Sequence, residues 1–179
     1  MKTVPLYGAK AAGRVALVDD EDYPLASQYR WRIWEMKVPG RRDNGPYAIA
    51  HIYRNGRRTT IFMHCLIMGQ AGIDHHDCYG LNNQRSNLRT ADPNMSSANR
   101  RPHLSRASRF KGLSFEHRRN KWRARIRING KLSSLGSFAV EEDAARAYDE
   151  AARKAWGEYA RFNFPFPGEQ SALISESVN

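Results

Sequence analysis

The sequence has little of what marks a secreted or membrane-spanning protein. Its 179 residues include two cysteines, Cys65 and Cys78, which are too few for a disulfide framework. No apolar run approaches the length of a membrane span, and the N-terminal residues MKTVPLYGAK lack the apolar core of a signal peptide. These absences predict a protein of the reducing cytoplasm with no membrane partner.

Acidic residues are also scarce. The chain has 18 Asp and Glu against 29 Lys and Arg, a formal net charge of +11. Residues 100–165 carry 16 of these cations and 7 of the acids, so +9 of the excess lies there. A protein this basic usually binds a polyanion, most often nucleic acid. The asymmetry predicts a dedicated nucleic-acid-binding segment.

The N-terminal third has the pattern of β-structure. The run GRVALV predicts a strand ending at Asp19, and YAIAHIY and RTTIFM flank Asn55-Gly56, a pair typical of tight hairpin turns. Residues 63–69 predict one or two helical turns. Residues 72–100 predict strand, loop, strand and a short helix, because Asp92 before a proline is typical of a helix N-terminus.

The segment Ile73 to Leu88, IDHHDCYGLNNQRSNL, concentrates residues that can bind metals or catalyse hydrolysis. A structural zinc site needs four converging Cys or His ligands. His75 and His76 are adjacent on a predicted strand and would point to opposite faces, and Cys65 and Cys78 form no CxxC pair. The ligand spacing therefore argues against structural zinc.

Phosphodiester hydrolysis fits this segment better. It needs a base to activate water and a cation to stabilise charge on the phosphate. The Asp74 carboxylate can hold a hard cation, and His75 beside it can act as a base near neutral pH. His64 is interpreted as a packing residue, and His76 and Cys78 as incidental.

The same segment resembles the core of the phage-type HNH homing endonucleases, and the match covers most of residues 12–100. The residues that fit the family pattern are Asp74, His75, Asp77, Gly80, Leu81, Asn83, Arg85, Asn87, Leu88 and Arg89. The resemblance implies a ββα-metal fold around one divalent ion, Mg²⁺ or Mn²⁺. It makes Asp74 a metal ligand, His75 the general base and Asn87 the residue that braces the loop and orients the histidine.

The chain departs from the family at the second metal ligand. The family has Asn or His nine residues after the middle asparagine, and this chain has Ser96 there. A serine hydroxyl is a neutral and weaker ligand. The resemblance thus assigns Ser96 to the metal site but implies weakened activity.

Residues 110–165 predict a second unit, a three-stranded antiparallel sheet packed on one helix. NKWRARIRI and KLSSLGSF flank a second Asn-Gly pair, Asn129-Gly130. Strand alternation places Lys121, Arg123, Arg125 and Arg127 on one face. A helix is predicted from Glu141 to Trp156, with a packed face of Ala144, Ala147, Tyr148, Ala151 and Ala155. The cationic face could be merely solvated, but an unbroken row favours DNA contact.

This second unit resembles the plant apetala-2, or ethylene-response-factor, DNA-binding domain. The most specific matches are LGSF, EEDAARAYDEAA, Gly157 and FNFP. The resemblance implies a sheet docked in the major groove, with DNA contacts from Lys111, Lys121, Arg123, Arg125, Arg127 and Lys131. The family's first-strand arginines fall on Ser114 and Glu116, so base preference is not inherited.

Together these patterns predict an α+β protein in four segments. They are an HNH nuclease domain with N-terminal β-hairpins at 1–99, a basic linker at 100–109, an apetala-2-like domain at 110–166 and a flexible tail at 167–179. Arg100 and Arg101 of the linker are expected to contact DNA.

The predicted function is a site-directed, metal-dependent nicking endonuclease. It would act on double-stranded DNA as a monomer, without an obligatory protein partner, in the cytoplasm of a bacterial host. The alternative is a DNA-binding regulator or architectural protein with a degenerate HNH site, and RNA binding is a third possibility.

Overall fold

The computed structural model describes residues 1–36, 44–100 and 108–173. The chain forms two compact units, Met1–Ala91 and Asp92–Asn179. Several small sheets and a few short helices make up both units, which confirms the α+β class. No helix in these three ranges is both long and apolar enough to cross a membrane.

The first unit is built mainly from short antiparallel strands. Its elements in chain order are β1 (Lys2–Pro5), β2 (Val15–Val18), α1 (Tyr23–Ala26), β3 (Arg32–Met36), β4 (Asn44–Arg54), β5 (Arg57–Phe62), α2 (Met63–Met68), β6 (Ile73–His75) and β7 (Leu88–Thr90). Strand β1 pairs with β2, strands β3, β4 and β5 form a sheet in that order, and β6 pairs with β7. Trp31 is wholly buried in the core, where its indole N–H donates to the Ala26 carbonyl at 2.7 Å.

The predicted hairpin at Asn55-Gly56 is confirmed. Strands β4 and β5 pair from Arg54↔Arg57 outward, and the two turn residues have φ of 50° and 72°. Asparagine and glycine tolerate this left-handed conformation better than other residues, so the local sequence alone fixes the turn. The predicted helix after β5 is also confirmed, since α2 ends at Gly69 with φ 68°.

The second unit contains the predicted sheet and helix. Its elements are α3 (Pro93–Asn99), β8 (Leu113–Glu116), β9 (Lys121–Ile128), β10 (Lys131–Phe138), α4 (Glu141–Trp156), β11 (Arg161–Phe162) and β12 (Gln170–Ser171). Strands β10, β9 and β8 form an antiparallel sheet in that order. The Asp92 carboxylate caps α3 by accepting from the backbone N–H groups of Asn94 and Met95, as predicted.

The buried face of α4 differs from the prediction at several positions. Ala144 and Tyr148 are buried as expected, Ala147 and Ala151 are only partly buried, and Ala155 is exposed. The helix also buries Ala145, Asp149 and Ala152. The Asp149 carboxylate accepts the backbone N–H groups of Asn163 and Phe164 at 2.9 and 2.7 Å. These bonds compensate its burial, so the packed stripe includes an acid that an apolar pattern does not identify.

The predicted flexible tail is partly wrong. Gln170–Ser171 pairs in parallel with Arg161–Phe162, and the Glu169 carboxylate accepts both an Nε–H and an Nη2–H bond from Arg153, at 2.8 and 2.7 Å. Residues 169–171 are therefore held in the second unit by Arg153 and by Arg161–Phe162. Residues 174–179, and Arg101 with most of the predicted linker, lie outside the described residues.

Candidate active site

The candidate site is centred on the hairpin of β6 and β7. In this hairpin Asp74 pairs with Arg89, and His75 pairs with Leu88. Because side chains alternate along a strand, the two pairs occupy opposite faces. The Asp74 carboxylate remains partly exposed, with the Arg89 guanidinium 3.4 Å away, whereas His75 is turned inward and is only 4% exposed. His76 follows the strand and is partly exposed.

Asn87 braces the loop between the two strands. Its side-chain oxygen accepts the Asp77 backbone N–H at 3.0 Å, and its side-chain nitrogen donates to the Asp77 carboxylate at 3.0 Å and to the Asn82 carbonyl at 2.7 Å. Its own carbonyl accepts the His76 N–H at 2.9 Å. Asn87 thus fixes the backbone on the C-terminal side of His75.

The loop is also attached to strand β2. The Leu17 backbone N–H donates to the Leu81 carbonyl, and the Asn83 N–H donates to the Leu17 carbonyl, each at 2.8 Å. Leu81 and Asn83 are both fully buried by this contact. Each bond joins residues more than sixty positions apart in the sequence, so the sequence pattern alone does not reveal it.

A salt bridge closes the far end of the loop. The Arg85 guanidinium donates from Nε and Nη2 to the two carboxylate oxygens of Asp22 at 2.9 and 2.7 Å. The Arg85 backbone N–H also donates to Asp19 at 2.8 Å. The acidic residues that follow β2 therefore anchor the loop at Arg85.

The His75 ring lies among other rings. The centroid of the His64 ring is 4.8 Å from that of His75 in an edge-on arrangement, and the Tyr47 ring is 5.7 Å from both. On its polar side, His75 Nε2 lies 3.3 Å from the Asn83 side-chain oxygen. His64 is 8% exposed, in keeping with its interpretation as a packing residue.

Burial controls the ionisation of both histidines. It lowers the pKa of His75, while the hydrogen bond to Asn83 and the charges of Asp77 and Asp74 act in the opposite direction. Burial and the neighbouring His75 lower the pKa of His64 to about 3. Both imidazoles are thus favoured in the neutral form, which is the form that can accept a proton.

The donor set at this hairpin suits a hard divalent ion. In the part of the chain that the structure describes, no cluster of three or more His, Cys, Asp or Glu residues could hold a metal. Mg²⁺ commonly needs only one or two carboxylates, because water and substrate phosphates complete its coordination. The Asp74 carboxylate fits that requirement. Ser96 is partly buried on α3 and belongs to the second unit.

Gly80 marks the closest approach of the loop to β4. A Cβ built on it would lie 2.5 Å from both the Pro46 carbonyl oxygen and the Tyr47 ring. We expect Gly80→Ala to lower the free energy of unfolding by about 1–3 kcal/mol, because the loop must shift away from β4. Urea denaturation of the full chain measures this change.

The matched control for this substitution is Gly56→Ala, since a Cβ there meets no atom within 4 Å and only the turn conformation is penalised. Gly80→Ala should also move the side-chain NMR resonances of His75, because Tyr47 packs against that ring, whereas Gly56→Ala should leave them in place. Unchanged His75 resonances in Gly80→Ala would contradict the close packing.

The cationic face of the second unit lies on β9. Lys121 and Lys131 are exposed. Three arginines of the face have intramolecular partners: Arg123 donates to the Glu116 carboxylate at 2.7 Å, Arg125 to the Ser114 hydroxyl at 3.3 Å, and Arg127 to the Gly130 carbonyl at 2.7 Å. These contacts hold the guanidinium groups over one side of the sheet.

Lys111, which the sequence predicts to contact DNA, lies just before β8 and not on β9. Its ammonium donates to the Ala98 carbonyl at the end of α3. Ala98 packs with Ile126 and Tyr148 in the apolar core, on the side of the sheet opposite the arginines. A cation near the C-terminal carbonyls of a helix is favourable, which explains the position of this lysine. Arg100 is exposed just after α3.

Comparison with known proteins identifies the family. The chain is 30% identical over 155 residues to an HNH endonuclease, L560, of Acanthamoeba polyphaga mimivirus, a match that covers 86% of this chain and 77% of that protein. The chain belongs to the HNH endonuclease family. A further relative is protein 3.8 of Escherichia phage T7, 37% identical over 90 residues that make up 50% of this HNH chain and 74% of the phage protein.

A different group of relatives comes from plants. APETALA2-like protein 2 of Oryza sativa is 40% identical over 72 residues, which cover 40% of this HNH chain but 17% of the plant protein. The likeness is therefore limited to a small part of that relative. No protein-family model and no solved structure matches the HNH chain.

Proposed function

We propose that the protein is a metal-dependent DNA endonuclease of the homing type that nicks one strand at a time. The observation that carries this proposal is the hairpin of β6 and β7, on which Asp74 and His75 are adjacent and the following loop is fixed by Asn87. Membership of the HNH endonuclease family supports nuclease chemistry at this hairpin. The described residues form one hairpin of this kind, which could cut one strand at a time, so nicks are expected.

In this proposal, His75 takes a proton from a water molecule, and the oxygen of that water attacks phosphorus. The P–O3′ bond breaks, and the released 3′ oxygen takes a proton from solvent. Asp74 would hold a divalent ion, Mg²⁺ or Mn²⁺, whose remaining coordination water and phosphate oxygens would supply. When bound, such an ion supplies Lewis-acid stabilisation of negative charge on the phosphate and leaving oxygen. The Arg89 guanidinium lies beside Asp74 and can contact a phosphate oxygen.

Nicking of supercoiled plasmid tests the proposal. Full-length protein is titrated with Mg²⁺ or Mn²⁺, and the expected product is the open circle, which forms before any linear DNA and is absent with a chelator. Tight DNA binding without nicking on any plasmid would favour the alternative, a DNA-binding regulator or architectural protein. Competition between duplex DNA and structured RNA separates DNA from RNA binding.

The second unit would deliver DNA to the nuclease. Arginine side chains on a sheet can contact guanine edges in the major groove or grip phosphates. The likeness to the plant APETALA2-like protein supports DNA as the partner. Leu132 pairs with Arg127 across β9 and β10 and is 47% exposed, so the same face also offers an apolar contact of the kind that a thymine methyl group accepts.

Removing the arginines of this face should weaken DNA binding strongly. We expect the triple variant Arg123→Ala, Arg125→Ala and Arg127→Ala to bind DNA at least about 100-fold more weakly, because each direct contact is worth about 1–3 kcal/mol. The dependence of log K on log salt should become shallower by about 0.9 for each phosphate that the variant no longer neutralises. Fluorescence anisotropy over a salt series measures both quantities.

The control variant removes the same charge elsewhere. Arg54, Arg57 and Arg58 are exposed around the first Asn-Gly turn, and their replacement by alanine lowers the net charge by the same amount. An equal decrease of affinity in both triple variants would contradict a dedicated binding face and indicate that overall charge alone attracts DNA.

A further inference from the structure

Asn83 is a buried side chain that touches the candidate base. It is 0% exposed, and its side-chain oxygen lies 3.3 Å from His75 Nε2. Its backbone N–H donates to the Leu17 carbonyl at 2.8 Å, which ties the residue to β2. Asn83 belongs to the loop between β6 and β7, and the bond of this loop to β2 holds its side chain against His75.

The chemistry of this contact selects one form of the imidazole. A neutral histidine carries its proton on one ring nitrogen and a lone pair on the other. An amide oxygen can only accept a hydrogen bond, so with the Asn83 amide in this orientation His75 Nε2 is the donor. The lone pair that accepts a proton from water is then at Nδ1.

We infer that Asn83 is a positioning residue that fixes the ring orientation of His75 and holds it in the tautomer protonated at Nε2. The inference rests on the proposed function of His75 as the base. It divides the task that the family resemblance gives to Asn87 alone. Asn87 fixes the backbone after His75, since its amide group bonds to Asp77 and Asn82, and Asn83 fixes the ring.

The orientation of the Asn83 amide decides the inference. The Asn83 side-chain nitrogen is buried and has no hydrogen-bond partner among the described residues. If the amide were rotated by half a turn, this nitrogen would donate to Nε2 and the opposite tautomer would result. The two orientations thus predict different protonated nitrogens on His75, and the difference can be measured.

The first experiment reads the tautomer directly. Long-range ¹H–¹⁵N NMR of the full chain, labelled at histidine nitrogens and assigned with His75→Ala, distinguishes the two forms. We expect His75 to be protonated at Nε2 in the wild type and in Asn83→Asp, which keeps an acceptor oxygen. Asn83→Leu, of similar size but without an acceptor, should give a mixture. A wild-type His75 protonated at Nδ1 would overturn the inference.

The second experiment measures single-turnover nicking. Asn83→Leu should slow nicking on the order of 10–100-fold, the usual cost of removing a group that orients a functional side chain, with DNA affinity unchanged. Asn83→Asp should retain most of the rate. A folded Asn83→Leu variant that nicks at the wild-type rate would overturn the inference.

The tautomer and rate measurements still test the inference if Asn83→Leu does not fold or if the wild type does not nick DNA. If Asn83→Leu does not fold, the wild-type tautomer and the rate of Asn83→Asp still test the contact. If the wild type does not nick DNA under any metal condition but shows the expected tautomer, and Asn83→Leu does not, the positioning contact is supported and the proposed function fails.

Discussion

Replacing His75 by alanine is expected to slow nicking of supercoiled DNA by about 10²–10⁴-fold, the usual contribution of a general base. Burial lowers the pKa of His75 and so favours the neutral imidazole, the form that accepts a proton from water. DNA affinity should be unchanged, since binding is assigned to the second unit. Single-turnover nicking with Mg²⁺ or Mn²⁺ and a gel-shift titration measure the two quantities.

The neighbouring His76 provides a matched control. It is the same residue type, one position along the chain, but it lies beyond the end of β6 and is partly exposed. His76→Ala should therefore nick at close to the wild-type rate. Nicking that survives in His75→Ala would rule out His75 as the base, even if the protein remains a nuclease.

The parts of the fold that the sequence predicts are those fixed by short-range chemistry. Asn129 and Gly130 have φ of 49° and 77°, so this pair determines its hairpin wherever the rest of the chain lies. The Asp92 cap and the α2 stop at Gly69 are likewise local. Strand alternation, which places Arg123, Arg125 and Arg127 on one face, needs only the period of a strand.

The parts that the sequence does not predict depend on contacts between distant segments. Leu17 lies on β2, and Asn83 lies in the loop between β6 and β7. No periodicity of the sequence links the two residues, so the attachment of this loop to β2 is visible only in the structure. Lys111 has the residue type of a DNA contact, yet the carbonyl at the end of α3 binds its ammonium. The residue type alone does not identify this partner, which the fold of the second unit brings next to Lys111.

In the candidate site, too, the sequence predicts local features but not the contacts between distant segments. The family pattern identifies Asp74, His75 and Asn87, and the hairpin places the first two on opposite faces as strand alternation requires. The sequence predicts that His64 is a packing residue, and its burial agrees, but nothing in the sequence indicates that it packs against His75. That contact arises because α2 and β6 meet in the core of the first unit.

His64 should make the first unit sensitive to acid. Its pKa is about 3 in the folded protein, against about 6.5 in an unfolded chain. Between these values the unfolded state binds more protons, so the stabilisation present above pH 6.5 decreases as the pH falls towards 3, at up to about 1.4 kcal/mol per pH unit. His64→Phe removes this titration and should flatten the pH dependence of unfolding, leaving the contribution of His75.

Phenylalanine suits this position, because His64 already packs against the rings of Tyr47 and Phe62. The substitution also removes the buried Nδ1 atom, which has no hydrogen-bond partner in the described ranges. Stability near pH 7 should therefore be kept or raised while stability near pH 4 rises further. Urea denaturation between pH 4 and 7 measures the slope. The control for the substitution itself is His51→Phe, at an exposed site on β4. An equal slope in His64→Phe and wild type would show that His64 is not held neutral by burial.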